Sequence, residues 1–429
     1  MKQNGILKDI AQALLQGLWF VFLLFPLLVM KVSVVGGVAS VTFRWNNIPL
    51  VFVAAVGGSL LWRWALRWNE QKGARDPENS LGVRIQNGVS AFLKQNRLAR
   101  VVLPLFFIGA LLAYPLISGM YHTNVMISAL IYVMLALGLN IVVGLGGLLN
   151  LGYAAFFAVG AYTYGLLWKH TGPWLAQVGI DPSWLFWISL PLAGFVALLF
   201  GVLLSLPVLR LRGDYLAIIT LAFGEIFRMV LQNSGDITGG ATGISLIPRP
   251  WFFGIQLTPH MAAIYIYYIT LSLVVFTIFV VRRIENSRVG RALEAMREDE
   301  IACEAMGIDL VKNKLITFAL GAFWAGVAGV LLAAQTTYIN PDSFTLWESI
   351  MVLMAVVIGG TGSIPGVIAG TLVLKLLPEY FRALAQYRML LYGVAMIIVI
   401  LFKSDGLIPR RRTEYRLEQE GSTSPEGHL

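Results

Sequence analysis

Charged residues are scarce in this chain. Asp, Glu, Lys and Arg make up 13% of its 429 residues, whereas a soluble globular protein carries about 25%. Hydrophobic residues make up 57% and the mean hydropathy is +0.74. So few charges exclude a chain whose surface is mostly in contact with water, and they indicate a membrane protein.

Residue types that build disulfides, metal sites or nucleotide sites are also few. The one cysteine, Cys303, excludes an internal disulfide. The four histidines lie far apart in sequence and form no ligand pattern. No GxxxxGK[ST] loop occurs, and GGTGS at 359–363 lacks the lysine of such a loop. We therefore predict no metal, no cofactor and no enzymatic activity; if ATP drives this chain, another subunit binds it.

Long apolar runs take the place of these features. Runs of about 18–22 residues can cross a hydrocarbon core of about 30 Å, and only helices or closed barrels cross without unpaired backbone groups. The runs are continuous rather than alternating, which favours helices. The sequence predicts an all-α, polytopic membrane protein with about ten to twelve transmembrane or partial-span helices. The predicted segments are 10–30, 48–66, 101–119, 125–143, 151–168, 184–206, 215–233, 260–281, 315–337, 348–359, 364–379 and 388–403.

The basic residues explain the net charge of +9. They gather in four clusters, and with the predicted spans all four fall on one side of the membrane. Cytoplasmic loops carry such an excess of Lys and Arg, so we expect both termini in the cytoplasm. The charge then indicates membrane lipid rather than nucleic acid as a partner. The clusters lie within 75–100, 210–212, 282–314 and 403–412.

Two glycine-rich stretches, 144–162 and 359–370, interrupt the apolar pattern. Small residues let helix backbones approach closely, and broken helices at membrane depth are tolerated where protein or a cavity surrounds them. Each stretch separates two apolar runs, which suggests two related halves around a central route. Close helix packing alone is the alternative. The residues we consider for a translocation path are Asn140, Asn150, Tyr153, Glu225, Gly359, Gly360 and Thr361.

Glu225 is one of few acids inside an apolar run. Arg228 follows three residues later, so the two side chains share a helix face. A buried pair of this kind is a candidate functional site. A structural pair near the end of a span, with Arg228 reaching towards water, is the other interpretation.

The segment RVGRALEAMREDEIACEAMGIDLVKNK, residues 288–314, is far more charged than its surroundings. Val289, Leu293 and Met296 recur at helical spacing and predict one apolar face. A second short helix over 301–306 is expected to end at Gly307 with a positive φ. Asp309 can then cap the next helix. The segment therefore reads as two amphipathic helices leading into a span.

The acidic run at 298–300 would be repelled by anionic lipid and suits docking to a cytosolic protein. Cys303 lies on the second helix, and we expect a maleimide to reach it from the cytoplasmic side when no partner is bound. A buried thiol, packed as a small hydrophobic side chain, is the alternative. The candidate docking residues are Arg291, Glu294, Arg297, Glu298, Asp299, Glu300, Ala302 and Gly307.

Several stretches together resemble a known family, the larger, M-type permeases of the branched-chain amino acid ABC importers. The resemblance covers about 126–410. The stretches that carry it are GLNIVVGLGGLLNLGYAAFFAVGAY (138–162), RLRGDYLAIITLAFGEI (210–226), ITGGATGI (237–244), GRALEAMREDEIACEAMGIDLVKNKLITFALGAFWAGVAGVLLA (290–333) and SFTLWESIMVLMAVVIGGTGSIPG (343–366).

The resemblance implies an ABC importer permease fold in a bacterial inner membrane. It implies import of Leu, Ile or Val together with a second homologous permease, two cytosolic ATPases and a periplasmic binding protein. It also implies that segment 288–314 couples to the ATPases. The wider importer motif there is Glu-Ala-Ala, three residues, then Gly; Ala302 and Gly307 match it, whereas Ile301 and Cys303 do not.

The resemblance also gives a domain division. We expect an N-terminal extension with two transmembrane helices and a cytoplasmic linker at 1–100, a permease core at 101–405 and a cytoplasmic tail at 406–429. Two other functions stay open: a permease of a urea or short-amide ABC importer, and an ion-coupled secondary transporter acting alone. Scarce acids inside the apolar runs argue against the second of these.

Overall fold

A computed structural model describes residues 30–35, 38–43, 109, 111–178, 184–208, 213–250, 258–380, 388–402 and 406–408. The chain divides into two compact units, Met1–Gln95 and Asn96–Leu429. The predicted span at 48–66 lies outside the described residues, as does the span at 10–30 except for Met30. Of the predicted span at 101–119, the structure describes residues 109 and 111–119. The predicted boundaries at 100 and 405 stay predictions.

The described part of the first unit is an antiparallel hairpin. Strand β1 (Met30–Val35) pairs with β2 (Val38–Phe43), with Val35 opposite Val38. Our predictions did not include this hairpin. The signal was present, because Gly36-Gly37 separates two runs rich in β-branched residues, and such a pair favours a two-residue hairpin turn.

The second unit is helical, as predicted. Its helices, in chain order, are α1 (Met120–Asn140), α2 (Tyr153–Val178), α3 (Trp184–Val208), α4 (Asp214–Asn233), α5 (Gly235–Thr238), α6 (Pro259–Glu285), α7 (Arg288–Glu298), α8 (Glu300–Ala305), α9 (Leu310–Thr336), α10 (Leu346–Gly359), α11 (Ile364–Tyr380) and α12 (Arg388–Phe402). A π-helical turn, Ile141–Leu145, extends α1.

Among the described residues of this unit, six segments are long and apolar enough to cross a membrane, which agrees with a multi-pass protein. They are Met120–Leu145, Trp184–Pro207, Tyr215–Asn233, Pro259–Glu285, Leu310–Thr336 and Pro341–Gly359. Helix α2 is not among them, and its first half, residues 153–165, contains three tyrosines and two glycines. Most of that half is buried among other helices, so it does not need a surface suited to lipid.

Helices α1 and α9 form the centre of the unit. Helix α9 packs along α2 and α3, and α1 packs against α6, α9 and α11. Small residues allow the closest of these contacts. A Cβ on Gly160 of α2 would lie 2.0 Å from the carbonyl oxygen of Gly326 on α9. The backbones of these two helices therefore touch where neither has a side chain.

Different helix ends and loops lie at the two ends of the bundle. We call one the α7 end; it carries α7, α8, the C-terminus of α1 and the C-terminus of α10. The other, the far end, carries the first turn of α1, the last turn of α9, residues 234–250 and residues 338–345.

Candidate functional site

Short polar side chains begin each helix of the charged segment. The Ser287 hydroxyl accepts a hydrogen bond from the N–H of Gly290 at the start of α7. Asp299 accepts from two N–H groups at the start of α8. Asp309 accepts from the N–H of Lys312 at the start of α9, which confirms the predicted cap.

Gly307 ends α8 in the predicted way. Its φ is +78°, in the left-handed region that favours glycine. Its N–H donates to the carbonyl of Glu304 at 3.0 Å, and the N–H of Ile308 donates to the carbonyl of Cys303 at 2.9 Å. These two bonds are those of a Schellman motif, so the turn between α8 and α9 is well defined.

The apolar face of the segment packs onto the bundle. Leu293 and Met296 are buried and Val289 is half-buried, as the spacing predicts. Cys303 is also buried, with 4% of its surface exposed. Our expectation that a maleimide reaches this thiol was wrong, because α8 is a short helix and Cys303 is on the side that faces the core.

A buried ion pair fixes α8 to α9. The Nζ atom of Lys314 lies 2.9 Å from a carboxylate oxygen of Glu300. The side chains are 3% and 21% exposed, respectively. A lysine this deeply buried is found almost only with a partner, so Glu300 is needed to hold it. The sequence placed Glu300 on the docking surface, whereas the carboxylate also serves this internal contact.

The outer face of α8 combines acids with apolar side chains. Glu298 and Asp299 are exposed, and beside them Ile301 and Met306 are 67% and 82% exposed. Of the other predicted docking residues, Arg291, Ala302 and Gly307 are exposed and Glu294 is half-buried. Large exposed apolar side chains ringed by charge are typical of an interaction surface.

Arg297 connects α7 to both glycine-rich stretches. Its guanidinium donates to the carbonyl of Gly144 in the π-helical turn, and to the hydroxyl of Thr361 at 3.4 Å. The sequence placed Arg297 among the docking residues and missed this inward contact. Helical periodicity gives no signal for it, because the two acceptors are 153 and 64 residues away.

The two glycine-rich stretches meet at the α7 end, in what we call the glycine junction, residues 140–147 and 359–363. The side-chain oxygen of Asn140 accepts a hydrogen bond of 2.8 Å from the N–H of Gly362. A Cβ on Gly144 would lie 2.6 Å from the same nitrogen. Asn140, Gly359, Gly360 and Thr361 of the predicted path are therefore neighbours.

The remaining predicted path residues lie elsewhere. The hydroxyl of Tyr153 donates to the carbonyl of Gly321 at 3.0 Å and ties α2 to α9. Asn150 is buried, its oxygen accepts from the N–H of Gly152, and its Nδ2 has no partner within the described part of the chain.

Glu225 lies near the far end, away from the glycine junction. Arg228 lies 3.1 Å from Glu225 and 3.1 Å from Asp342, which belongs to the loop before α10. The pair is thus part of a polar network that joins α4 to this loop, and one of its members, Asp342, is 59% exposed.

Comparisons with known proteins agree with this architecture. The family model described as "Branched-chain amino acid transport system / permease component" matches residues 121–400. The chain is 42% identical over 326 residues to the high-affinity branched-chain amino acid transport system permease protein LivM of Salmonella typhimurium, which covers 71% of this chain and 74% of that protein. LivM of Escherichia coli gives the same identity and coverage.

An archaeal relative is more distant. A probable branched-chain amino acid transport permease protein LivM of Methanocaldococcus jannaschii is 30% identical over 330 residues, or 66% of this chain and 91% of that protein. No solved structure matches the chain. The matched family segment contains α1, the charged segment and both halves of the glycine junction. The chain therefore belongs to the family of branched-chain amino acid transport system permease components.

Proposed function

We propose that this chain is the transmembrane permease subunit of an ATP-driven importer for leucine, isoleucine and valine. The chain is similar to relatives named LivM, LivH and BraD, all described as branched-chain amino acid transport permeases, which supports this substrate class. In the proposal the chain forms half of a translocation pathway and is not itself an enzyme. The α7 end faces the cytoplasm, as do both termini.

The contacts of Arg297 carry the proposal. A movement of α7 acts on Gly144 and Thr361 at once, because one guanidinium binds both. Those residues begin the turns between α1 and α2 and between α10 and α11. Force applied outside the bundle therefore has a direct route to four helices of the bundle. An importer driven by cytosolic ATPases needs a connection of this kind, whereas an ion-coupled carrier acting alone does not.

The outer face of α8 supports docking of one ATPase on this chain. Exposed Ile301 and Met306 can enter an apolar groove, and the acids beside them favour a basic rim. A second ATPase docks on a second homologous permease in this scheme. This chain is similar to relatives named LivM and to relatives named LivH, which supports a pair of homologous subunits. A periplasmic binding protein delivers substrate, and the ATPases bind the ATP.

Uptake of radiolabelled leucine into right-side-out membrane vesicles tests the proposal. We expect uptake only when this chain, a second permease, the ATPases, the binding protein and internal ATP are all present. Leucine uptake by the purified chain under a proton gradient alone would instead identify a secondary carrier. Uptake of urea or a short amide, with none of leucine, would identify the other importer class.

The substitution Arg297→Lys tests the coupling role. Lysine keeps the charge but presents a compact ammonium on a flexible chain rather than a planar fork, so it cannot hold both acceptors in the same geometry. We expect leucine uptake to fall about tenfold while the ATPases still assemble and bind nucleotide, a loss of about 1.4 kcal/mol in coupling. Arg283→Lys, on the exposed last turn of α6, is the matched control. Equal uptake in the two variants contradicts the role.

A further inference from the structure

A cavity of about 350 Å³ lies at the far end of the bundle. It is bordered by α1, α10, α11, α12 and the last turn of α9. Its volume is within the range of small-molecule sites, and its wall mixes charged, polar and apolar side chains. The wall residues that matter here are Val125, Gln335, Trp347, Glu348, Met351 and Lys375.

Gln335 lines this cavity, and its side chain carries a buried acceptor with no donor among the described residues. Its side-chain nitrogen donates to the carbonyl of Asn124 and to the hydroxyl of Ser128, both at 2.9 Å. A backbone carbonyl can only accept, so the nitrogen must face Asn124 and the assignment of the amide is fixed. Gln335 is 9% exposed, and its Oε1 has no partner among the described residues.

A buried acceptor without a donor destabilises a fold, because it has lost its hydrogen bonds to water. A ligand that brings N–H groups into the cavity removes this cost. Gln335 lines the cavity together with two acids, Glu348 and Glu379, and this lining indicates a cationic donor, such as an ammonium group.

Tyr132 holds two opposite charges beside this acceptor. Its hydroxyl donates to a carboxylate oxygen of Glu348, and the Nζ atom of Lys375 lies 3.2 Å from its ring centroid. Glu348 is in the first turn of α10, where the positive end of the helix dipole favours a carboxylate. Ionisable residues inside a membrane protein are costly and are usually kept for function.

We propose that this cavity binds a neutral α-amino acid as its zwitterion during transport. The ammonium group binds the carboxylate of Glu348 and Oε1 of Gln335, and the carboxylate group of the ligand binds Lys375. The aliphatic side chain packs against Val125, Trp347 and Met351. The inference rests on the proposed function, since it assumes that amino acids pass through this bundle.

Binding of tritiated leucine to the assembled permease–ATPase complex, without binding protein, tests the site. We expect saturable binding to the wild type that valine competes for. Leucinamide lacks the carboxylate and 4-methylpentanoate lacks the ammonium, so each should compete at least tenfold more weakly. Weak binding is expected, because a transit site must release its ligand.

Substitutions in the wall should weaken leucine binding at least tenfold. Glu348→Gln removes the charge that faces the ammonium, and Gln335→Leu removes the unused acceptor. Gln232→Leu is the matched control, because Gln232 is also at the far end but binds Asp342 outside the cavity. Unchanged leucine affinity in both wall variants, in complexes that still assemble, overturns the site.

A second measurement applies if those variants do not assemble. Val125→Cys places a thiol in the wall, and the chain's own cysteine is buried. With cysteine-free partner subunits, leucine should slow modification of this thiol by a small methanethiosulfonate at least fivefold, whereas leucinamide should not. Equal rates with and without leucine overturn the site.

The two hypotheses fail separately in these assays. Absence of leucine uptake by the complete wild-type system contradicts the proposed function. Normal uptake combined with no protection of the Val125→Cys thiol contradicts only the cavity.

Discussion

Removing Glu300 and removing Lys314 from their ion pair should destabilise the protein by different amounts. Removal of the Glu300 charge leaves the buried Lys314 ammonium, whose side chain is 3% exposed, without its counter-charge. Removal of Lys314 leaves the Glu300 carboxylate, whose side chain is 21% exposed and can regain contact with water. We compare Glu300→Gln with Lys314→Met, and Glu304→Gln on the exposed face of α8 is the control.

The magnitudes follow from burial. Breaking a buried pair lowers stability by about 3 kcal/mol or more when the remaining charge cannot be hydrated. We therefore expect Glu300→Gln to lower the free energy of opening α8 by about 3 kcal/mol. Lys314→Met keeps an apolar stem in place, and we expect about 1 kcal/mol from its lost hydrogen bond. The control, Glu304→Gln, should change the same free energy of opening by less than about 0.5 kcal/mol.

Cys303 offers a local assay, because this thiol is buried on α8 and reacts only when the helix opens. When opening is fast relative to labelling, the rate follows the open fraction. At about 1.4 kcal/mol per factor of ten, Glu300→Gln should raise the maleimide rate by about 100-fold. Lys314→Met should raise it by about fivefold. A rate for Lys314→Met equal to or above that for Glu300→Gln contradicts the reasoning.

Three further substitutions probe the same region. Gly307→Val should destabilise the α8–α9 turn by about 1–3 kcal/mol through its positive φ and lower leucine uptake, whereas Gly307→Asn, which tolerates this conformation, should cost less. Gly144→Ala should separate the two halves of the glycine junction and cost about 1–3 kcal/mol in thermal stability; Gly393→Ala, with no atom near its Cβ position, is the neutral control. Asp299→Ala removes the N-cap of α8 and should destabilise this helix by about 1 kcal/mol. We expect maleimide to label Cys303 about fivefold faster in this variant.

Patterns among residues close in sequence predicted the helices and their caps. The predicted span at 184–206 corresponds to α3, and that at 260–281 to α6, within a few residues. The cap at Asp309 and the positive φ of Gly307 also agree. Each of these features depends on residues within one or two helical turns, so the sequence alone contains the necessary information.

Contacts between distant segments were harder to predict. The sequence placed Arg297 on an outer surface because helical spacing identifies a polar face but not the neighbour that the face meets. It also passed over Glu348 and Lys375, which lie inside apolar runs. A charge in such a run is a signal in itself. The pairing with Tyr132, however, needs the packing of α1 against α10 and α11.

Helix α10 links the two sites physically. It has 14 residues, which at about 1.5 Å per residue gives a rod of about 21 Å. Glu348 in the cavity is in its first turn, and Gly359 at the glycine junction is its last residue. At Gly359 the backbones of α10 and α11 are in close contact, since a Cβ there would lie 2.3 Å from the carbonyl oxygen of Gly366. We expect a displacement that Arg297 transmits to the junction to move α10 as a rigid rod and so to reach Glu348 at its other end.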